Sequence, residues 1–456
     1  MTNKILCPVS IKSNRKSFKI LRSTTLCLLL SVVCPQLSAQ TAREEIKQLP
    51  RLSGSNYLAY REPVKPLTAT PKGYEPFYLT HYARHGSRWL IAPGDYDNPL
   101  KTLRNASADH KLTIQGQKVL SDLEEFYKTT RNRLGELTTV GARQHHGIGK
   151  RMTRNFPEIF KGTPEVDARS TVVIRCIHSM TAECEELMAY NPQTKINNDV
   201  SESYQYYLNR RWDGEVRRQG NSRVRGEEVH KARMKYTHPE RFCSIIFNDM
   251  QYVKDSLNGG GAFMNQMFDV ATNMQSHDTN ISFIELFTND ELYDLWKIKN
   301  IDWYLGYGPA PQTGGVMPYS QSVLLRNIIE TADTVVDKKE WNGATLRFGH
   351  EVCVMPLACL LELDSCGRQV HDLEKLDEQW VNYRIYPMAS NIQLVFYRPI
   401  KGKEGDLLLK VLLNEHEATL PIHTDSFPYY RWKDFRDYYV KKLDDFETKY
   451  PSETKQ

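Results

Sequence analysis

Two spacings of hydrophobic residues alternate along the chain, one typical of β-strands and the other of α-helices. Short β-rich apolar runs predict six strands, at 77–83, 165–168, 344–348, 392–397, 407–413 and 419–422. Apolar residues every three or four positions predict helices at 111–134, from 141 toward 154, after 171 and at 319–336, and the nearly all-apolar stretch 352–363 predicts a buried helix. A loop containing Pro93, Gly94 and Pro99 is predicted between the first strand and the first helix.

Residues 190–315 have a different character from the sequence on either side. They contain few β-rich runs and many charged residues, and Gly259-Gly260-Gly261 marks a connection between elements. We therefore predict an α/β fold with a mixed central sheet and helices on both faces, built from residues 40–189 and 316–456. A mostly helical cap domain, residues 190–315, is inserted into this core.

The first forty residues have the layout of a secretory signal peptide. Six basic residues and no acidic residue occur there, followed by an apolar run at 26–33 and by Leu37-Ser38-Ala39. The apolar run is too short to cross a bilayer, so we predict no membrane span. Residues 1–39 predict export to the periplasm or the medium, with lipoprotein anchoring at Cys34 as a minor alternative.

Charge and cysteine content change once this signal is set aside. Its removal takes six of the 60 Lys and Arg and none of the 55 Asp and Glu, which leaves the chain almost neutral. The formal charge of +5 therefore does not indicate a nucleic-acid partner. Six of the nine cysteines remain, in a spacing that matches no zinc site, and either disulfides or buried thiols are compatible with them.

Polar residues follow three of the predicted strands directly. Arg84 and His85 come after the first strand, Arg175 lies shortly after the second, and His350-Glu351 follows the third. Ligands in open α/β sheets bind at the carboxyl ends of the strands. These side chains are therefore expected to converge on one pocket.

The residue types in this set suit a phosphate monoester, which carries about two negative charges near neutral pH. Arginine binds phosphate oxygens in a bidentate manner, and Arg84 and Arg88 bracket His85. Arg175 and His350 add further donors from other strand ends. We predict these four residues as the phosphate-binding set and a small phosphorylated molecule as the partner.

A nucleophile and an acid complete the predicted site. His85 is the candidate nucleophile, because a neutral imidazole attacks well and neighbouring guanidinium groups disfavour its protonation. Glu351 is the candidate acid that protonates the leaving alcohol. This chemistry requires no metal, and we predict no cofactor.

The run Y-A-R-H-G-S-R at 82–88 resembles the signature of the histidine acid phosphatases, the two-domain branch of the histidine phosphatase superfamily. This branch includes phytases and multiple inositol polyphosphate phosphatases. Further landmarks of the family are resembled, in the family's order, by LTTVG at 137–141 with Gln144, RST at 169–171 with Arg175, FGHE at 348–351 and SNIQ at 390–393. The resemblance spans roughly residues 75–425.

This resemblance implies His85 as nucleophile and Glu351 as proton donor. It also implies that the phosphate is bound by Arg84, Arg88, Arg175 and His350. The chain departs from the family pattern in one respect that bears on catalysis. Glutamate follows histidine directly here, where most members have His-Asp and the inositol polyphosphate branch has His-Ala-Glu, so the donor is less firmly assigned than the nucleophile.

Basic residues in the predicted cap bear on the substrate. Nine Lys or Arg occur between 209 and 236, and we assign Arg210, Arg211 and Arg217 as candidate substrate-binding residues. A basic lid favours a polyanion such as an inositol polyphosphate, whereas a solvated charged face is the alternative. The adjacent His145 and His146 point in different directions on a helix and are interpreted as structural.

Three functions are compatible with these patterns. The first is a phosphatase acting on phytate or related inositol phosphates, and the second is a broad acid phosphatase for sugar or nucleotide monoesters. The third is a phosphate-binding protein that has kept the pocket and lost its acid. Glu351 distinguishes the third from the others, because binding would survive its failure while turnover would not.

Overall fold

The computed structural model describes residues 41–338 and 341–451. The predicted signal peptide and Cys34 lie outside these residues. Within the described residues one sheet is present, with the strands β1 (Tyr74–Arg84), β2 (Glu165–Ser170), β3 (Lys195–Val200), β4 (Gly343–Gly349), β5 (Asn391–Pro399), β6 (Leu408–Leu413), β7 (His416–Glu417) and β8 (Tyr430–Arg431).

The strand order in this sheet is β3-β2-β4-β1-β5-β6-β7, with β8 also paired to β6. The first four strands in that order are parallel to one another, and β5 to β8 pair in antiparallel fashion. The sheet is therefore mixed. β1 lies at the boundary between the parallel and antiparallel parts, where its carboxyl end is flanked by the end of β4 and the start of β5.

Helices cover both faces of this sheet. In the described ranges the α-helices are α1 (Ala42–Gln48), α2 (Pro93–Ala108), α3 (Ile114–Tyr127), α4 (Thr139–Asn155), α5 (Ile174–Tyr190), α6 (Gln205–Leu208), α7 (Gly214–Gly220), α8 (Arg223–Tyr236), α9 (Pro239–Ile246), α10 (Met250–Ser256), α11 (Gly261–Asn273), α12 (Asn289–Tyr307), α13 (Ser322–Val336), α14 (Glu351–Leu360), α15 (Leu376–Gln379), α16 (Asn382–Ile385) and α17 (Trp432–Lys449).

The alternation of side chains along β1 explains this layering. Leu79 and Ala83 face a cluster formed with α4 and α5, whereas Tyr78 and Tyr82 face the larger cluster on the opposite side. All residues of β1 from Phe77 onward are buried. A strand covered on both faces places the residues that follow it inside the protein, and this is where Arg84 and His85 are located.

The predicted α/β class with a mixed sheet and helices on both faces is confirmed. Two local predictions are wrong. The predicted loop around Pro93 is helix α2, because proline is tolerated at a first helical position and Pro99 is accommodated farther along. Residues 419–422 do not form a strand. The stretch 190–315, predicted to be mostly helical, also contains the edge strand β3, whose polar sequence gives no alternating pattern.

The helices of residues 190–315 pack against elements that precede them in the chain. α11 packs on α2, and α9 packs on α3. None of the helices in residues 41–338 and 341–451 combines the length and hydrophobicity that a bilayer span requires. The six cysteines in these ranges are free thiols and all are buried.

Candidate active site

Strand register brings the two predicted catalytic segments together. β1 and β4 run parallel with Arg84 opposite Gly349, so His85 and His350 leave neighbouring strands at the same level. The backbone N–H of His85 donates to the carbonyl oxygen of Gly349 at 2.9 Å. The imidazole rings of His85 and His350 lie 5.7 Å apart between centroids.

His85 presents a nitrogen lone pair rather than an N–H at the site. Its Nδ1 lies 2.9 Å from the carbonyl oxygen of Gly86, which can only accept, so Nδ1 carries the proton. Nε2 is buried, has no hydrogen-bond partner in the protein and lies 3.5 Å from Glu351 Oε2. Burial lowers the pKa of His85 well below its usual value, helped by the charge of Arg175 and opposed by Glu351. The imidazole is therefore neutral and nucleophilic.

Three arginines around His85 keep donors that the protein does not use. Each spends one Nη1 donor on a backbone carbonyl, Arg84 on Tyr386 at 3.0 Å, Arg88 on Trp89 at 2.9 Å and Arg175 on Gly135 at 3.1 Å. The Nε atoms of Arg88 and Arg175 and Nη2 of Arg84 are buried and have no hydrogen-bond partner among the described residues, whereas Arg84 Nε faces the Glu351 carboxylate. Buried donors of cationic groups are costly unless an anion receives them.

The positive charges of the three arginines lower one another's pKa. Burial lowers the pKa of Arg84 to about 10, and the charges of Arg88 and Arg175 contribute to that shift. Burial also lowers the pKa of Arg175, with Arg88 again contributing. Three cations placed this closely repel one another, and a bound dianion removes the repulsion. The cluster of guanidinium groups therefore favours an anion at this position.

Glu351 is the first residue of α14 and is held by the arginines. Its Oε2 lies 3.1 Å from Arg84 Nε, and its side chain is 12% exposed. Burial acts to raise the pKa of Glu351, but the charge of Arg84, the contact with His85 and the charge of Arg88 together hold it well below its usual range. Glu351 is a carboxylate in this state. An anion that neutralises these arginines would let burial raise the pKa.

His350 caps the amino end of α14 and lines the same pocket. Its Nε2 lies 3.3 Å from the hydroxyl oxygen of Thr171, and Cys176 Sγ lies 3.9 Å from both ring nitrogens. Burial lowers the pKa of His350 to about 4, so the ring is neutral. Neutral His350 can offer one N–H to a phosphate oxygen.

The loop that carries His85 is fastened to α4 through Ser87. Gln144 Oε1 accepts the Ser87 N–H at 2.9 Å, and Gln144 Nε2 donates to the Ser87 hydroxyl at 3.0 Å. Gly86 and Gly141 pack backbone to backbone, since a Cβ at Gly86 would lie 2.4 Å from the Gly141 carbonyl oxygen. Only glycine fits at this contact.

The three cap arginines occupy different surroundings. Arg210 stacks over Trp212 at 4.3 Å, and its charge reaches Cys353 on α14, where it opposes the burial that raises the pKa of that thiol to about 12. Arg211 pairs with Asp213 at 2.5 Å. Arg217 lies on the exposed side of α7. Arg210 therefore acts electrostatically on a residue of α14, and Arg211 is engaged by Asp213 and by the Ser322 hydroxyl.

Two further features complete the comparison with the sequence. Ser179, Tyr386 and Asn273 contact the catalytic loop or its arginines, and the sequence analysis missed all three because no local pattern marks them. His145 is buried and bonds to Glu183 at 2.7 Å.

One group among the described residues has ligand atoms close enough to share a metal ion. It consists of His85, His350 and Glu351, whose ligand atoms lie within 4.8 Å of one another. The three arginines that surround this group carry positive charge and so favour an anion over a cation there.

The family model of the histidine phosphatase superfamily (branch 2) matches residues 83–414 of the chain. No curated protein gives a significant sequence match. Among solved structures, the chain is similar to the multiple inositol polyphosphate phosphatase of Bifidobacterium longum in complex with inositol hexasulfate. The TM-score is 0.69, with 16% identity over 84% of this chain and 96% of that chain. It is also similar to the phytase of D. castellii, with a TM-score of 0.65 and 14% identity over 91% of this chain and 88% of that one.

Proposed function

The chain belongs to branch 2 of the histidine phosphatase superfamily, and we propose that it hydrolyses phosphate monoesters through a phosphohistidine intermediate on His85. Membership makes the chain a phosphoric monoester hydrolase of the histidine acid phosphatase type. The observation that carries the proposed mechanism is the His85 imidazole, whose unprotonated Nε2 is surrounded by guanidinium groups with unused donors.

In the first step the substrate phosphate enters the cluster of cations. The free donors of Arg84, Arg88 and Arg175 bind its non-bridging oxygens, and His350 adds a neutral N–H. These donors are already in place, so little reorganisation is needed as charge develops on the transferring group. The phosphorus atom is thereby held in front of His85 Nε2.

Phosphoryl transfer then forms a nitrogen–phosphorus bond and breaks the ester bond. The lone pair of His85 Nε2 attacks phosphorus, and the electrons of the ester bond pass to the leaving oxygen. Protonated Glu351 gives its proton to that oxygen. The bound dianion supports this role, because it offsets the arginines that keep Glu351 ionised, and burial then raises its pKa.

Hydrolysis of the intermediate returns the site to its starting state. Glu351, now a carboxylate, takes a proton from water as that water attacks phosphorus. The nitrogen–phosphorus bond breaks, its electron pair returns to Nε2, and inorganic phosphate leaves. Because Glu351 is ionised in the free site, it takes up its proton from solvent or from the substrate phosphate when the substrate binds, and it releases that proton when inorganic phosphate leaves.

Substitution of the nucleophile tests this mechanism. We expect His85→Ala to lose aryl phosphate hydrolysis by about 10⁴-fold or more, with or without EDTA, because no other group replaces Nε2. His146→Ala is a matched control, since this histidine is partly exposed and pairs with Glu186. Full activity in purified His85→Ala, free of contaminating phosphatase, would contradict the mechanism.

Inositol polyphosphates are the proposed substrates. Arg210 belongs to a segment rich in basic residues, and its charge acts on Cys353 in α14, the helix that begins at Glu351, which supports a polyanion over a simple monoester as substrate. Two structures of similar fold are named as an inositol polyphosphate phosphatase and a phytase, which is consistent with this choice. We also propose that residues 190–315 act as a cap over the site.

Phosphate release from a panel of substrates separates the proposed specificity from its alternative. We expect kcat/KM for phytate to exceed that for sugar phosphates and nucleotides. Equal values across the panel would indicate a broad acid phosphatase instead. Export is proposed from residues 1–39, and amino-terminal sequencing of the protein recovered from the periplasm or medium tests it, with cleavage expected after residue 39.

A further inference from the structure

A buried asparagine from the stretch 190–315 contacts the catalytic loop. Asn273 is the last residue of α11 and is 1% exposed. Its side-chain Nδ2 donates to the backbone carbonyl oxygen of Arg88 at 3.1 Å. The two residues are 185 positions apart, so this bond joins an element far along the chain to the phosphate-binding loop.

The orientation of the Asn273 amide is set by its other partners. Its Oδ1 accepts from the Tyr96 hydroxyl at 3.3 Å and from His277 Nε2 at 3.1 Å. The Tyr96 hydroxyl in turn accepts the backbone N–H of Leu90 at 2.9 Å, which leaves its own proton free for Asn273. Because the Arg88 carbonyl can only accept, Nδ2 must face it. Every donor and acceptor of this network has one consistent role.

This network holds the two successive peptide planes that follow Arg88, and the second of them carries the carbonyl to which the Arg88 guanidinium bonds. The Arg88 carbonyl belongs to the peptide bond between Arg88 and Trp89, and Arg88 Nη1 bonds back to the next carbonyl, that of Trp89. A rotation of the Arg88–Trp89 plane would shift Trp89 and its carbonyl, and the guanidinium bonded to that carbonyl would move with it. Asn273 opposes this rotation at the Arg88 carbonyl, and Tyr96 holds the Trp89–Leu90 plane through the Leu90 N–H.

We propose that Asn273 is a positioning residue that orients the Arg88 guanidinium for phosphate binding from the α11 side. This inference rests on the proposed function in one respect, namely that Arg88 binds the phosphate. Asn273 does not contact the reacting atoms. It holds the Arg88 backbone in place relative to α11 and thereby sets the direction in which the unused Arg88 Nε donor points.

Asn273→Asp tests the donor, because aspartate has almost the same shape. The carboxylate keeps the acceptor for Tyr96 and His277 but faces the Arg88 carbonyl with an oxygen instead of an N–H. A protonated carboxyl restores a donor. We therefore expect the Ki of inorganic phosphate, as a competitive inhibitor, to rise about tenfold above wild type near pH 7.5. The ratio of the two Ki values should shrink toward one as the pH falls to 5.

The pH range is suited to this readout. The titratable groups that contact Asn273 are Arg88, Tyr96 and His277. Burial raises the pKa of Tyr96 and lowers that of His277 to about 4, so neither changes its protonation between pH 5 and 8. Groups elsewhere in the pocket affect wild type and variant alike, and their contribution cancels in the ratio.

Asn265→Asp is the matched control, since this asparagine lies on the same helix and bonds only to the carbonyl of Gly261 within it. It should leave the phosphate Ki unchanged at every pH. If Asn273→Asp fails to fold, Tyr96→Phe removes the hydroxyl that orients the amide, and we expect a Ki increase of about threefold.

An unchanged Ki in the folded variant, or a deficit of equal size at all pH values, would overturn the inference. A wild-type protein that neither hydrolyses an aryl phosphate nor binds inorganic phosphate would instead contradict the proposed function, before any Asn273 variant is compared.

Discussion

Arginines occur in two regions of this molecule under opposite conditions. In the loop at 84–88 they are buried, lie close to one another and keep donors without protein partners. In the segment at 209–217 they are partly or fully exposed, and Arg210 and Arg211 rest on an aromatic ring and a carboxylate. A buried guanidinium without an anion costs several kcal/mol, whereas an exposed pair costs or gains little.

We interpret this difference in burial as a division between a region proposed for catalysis and a region proposed for substrate recognition. The unpartnered donors in the loop cost free energy in the folded protein. They are also rigid and buried, so they are already positioned when a phosphate binds. The outer segment keeps its arginines satisfied, so they can change partners for a ligand at small cost. Substitutions in the two regions should therefore differ in size and in which substrates they affect.

The largest effect is expected from Arg88→Met, which keeps bulk and removes charge. We expect kcat/KM for an aryl phosphate to fall about 10³-fold, because a dry phosphate donor is lost. The melting temperature should stay constant or rise, because a buried cation without a carboxylate partner is removed. Activity assays and thermal unfolding measure the two quantities.

Arg151→Met is the matched comparison for that substitution. Arg151 is also buried but forms a bidentate pair with Glu415 at 2.9 and 2.7 Å. Its loss should destabilise the fold by about 3–5 kcal/mol and leave kcat/KM of the folded protein nearly unchanged. The same result for both arginines would remove the distinction between them.

An intermediate effect is expected from Glu351→Gln. An alkyl phosphate should be hydrolysed about 10²-fold more slowly, and an activated aryl phosphate about tenfold or less, because only the poor leaving group needs a proton. The ratio of wild-type to variant kcat/KM on the alkyl substrate should fall as the pH rises, since deprotonated Glu351 cannot act as an acid. Equal slowing of both substrates would argue against the acid role.

The smallest effect is expected from Arg210→Ala. We expect kcat/KM for phytate to fall about tenfold while an aryl phosphate changes less than twofold, because the residue lies outside the phosphate-binding loop. Arg104→Ala is a suitable control, being an exposed arginine paired with Glu124 away from the pocket. Equal losses of kcat/KM on both substrates would indicate that Arg210 contributes to catalysis rather than to substrate recognition.

The sequence was sufficient to predict much of this fold for a physical reason. β1, β4 and β5 are buried on both faces, so their apolar runs are unmistakable. β3 has the sequence K-I-N-N-D-V and only partial burial, so as an edge strand it carries almost no pattern. α2 contains two prolines that normally mark a loop, and only its tertiary contacts make it helical.

The residues of the site also fall into two groups, those that the sequence indicates and those that only the fold reveals. His85, Arg84 and Glu351 stand at strand ends, where a rule about sheets indicates that polar residues matter. Asn273 and Tyr386 reach the loop through single hydrogen bonds across 185 and 302 positions of sequence. A bond of that kind leaves no periodicity and no motif, and it follows only from the packing of the whole chain.

The pairing of β1 with β4 has a consequence for how the enzyme matures. The proposed nucleophile and the proposed acid are brought together by the register of these two strands, which are separated by more than 250 residues. A slip of one residue would turn one of the two side chains toward the opposite face of the sheet. A chain in which β1 and β4 have not yet paired in this register therefore lacks the proposed active centre, and we expect it to be inactive.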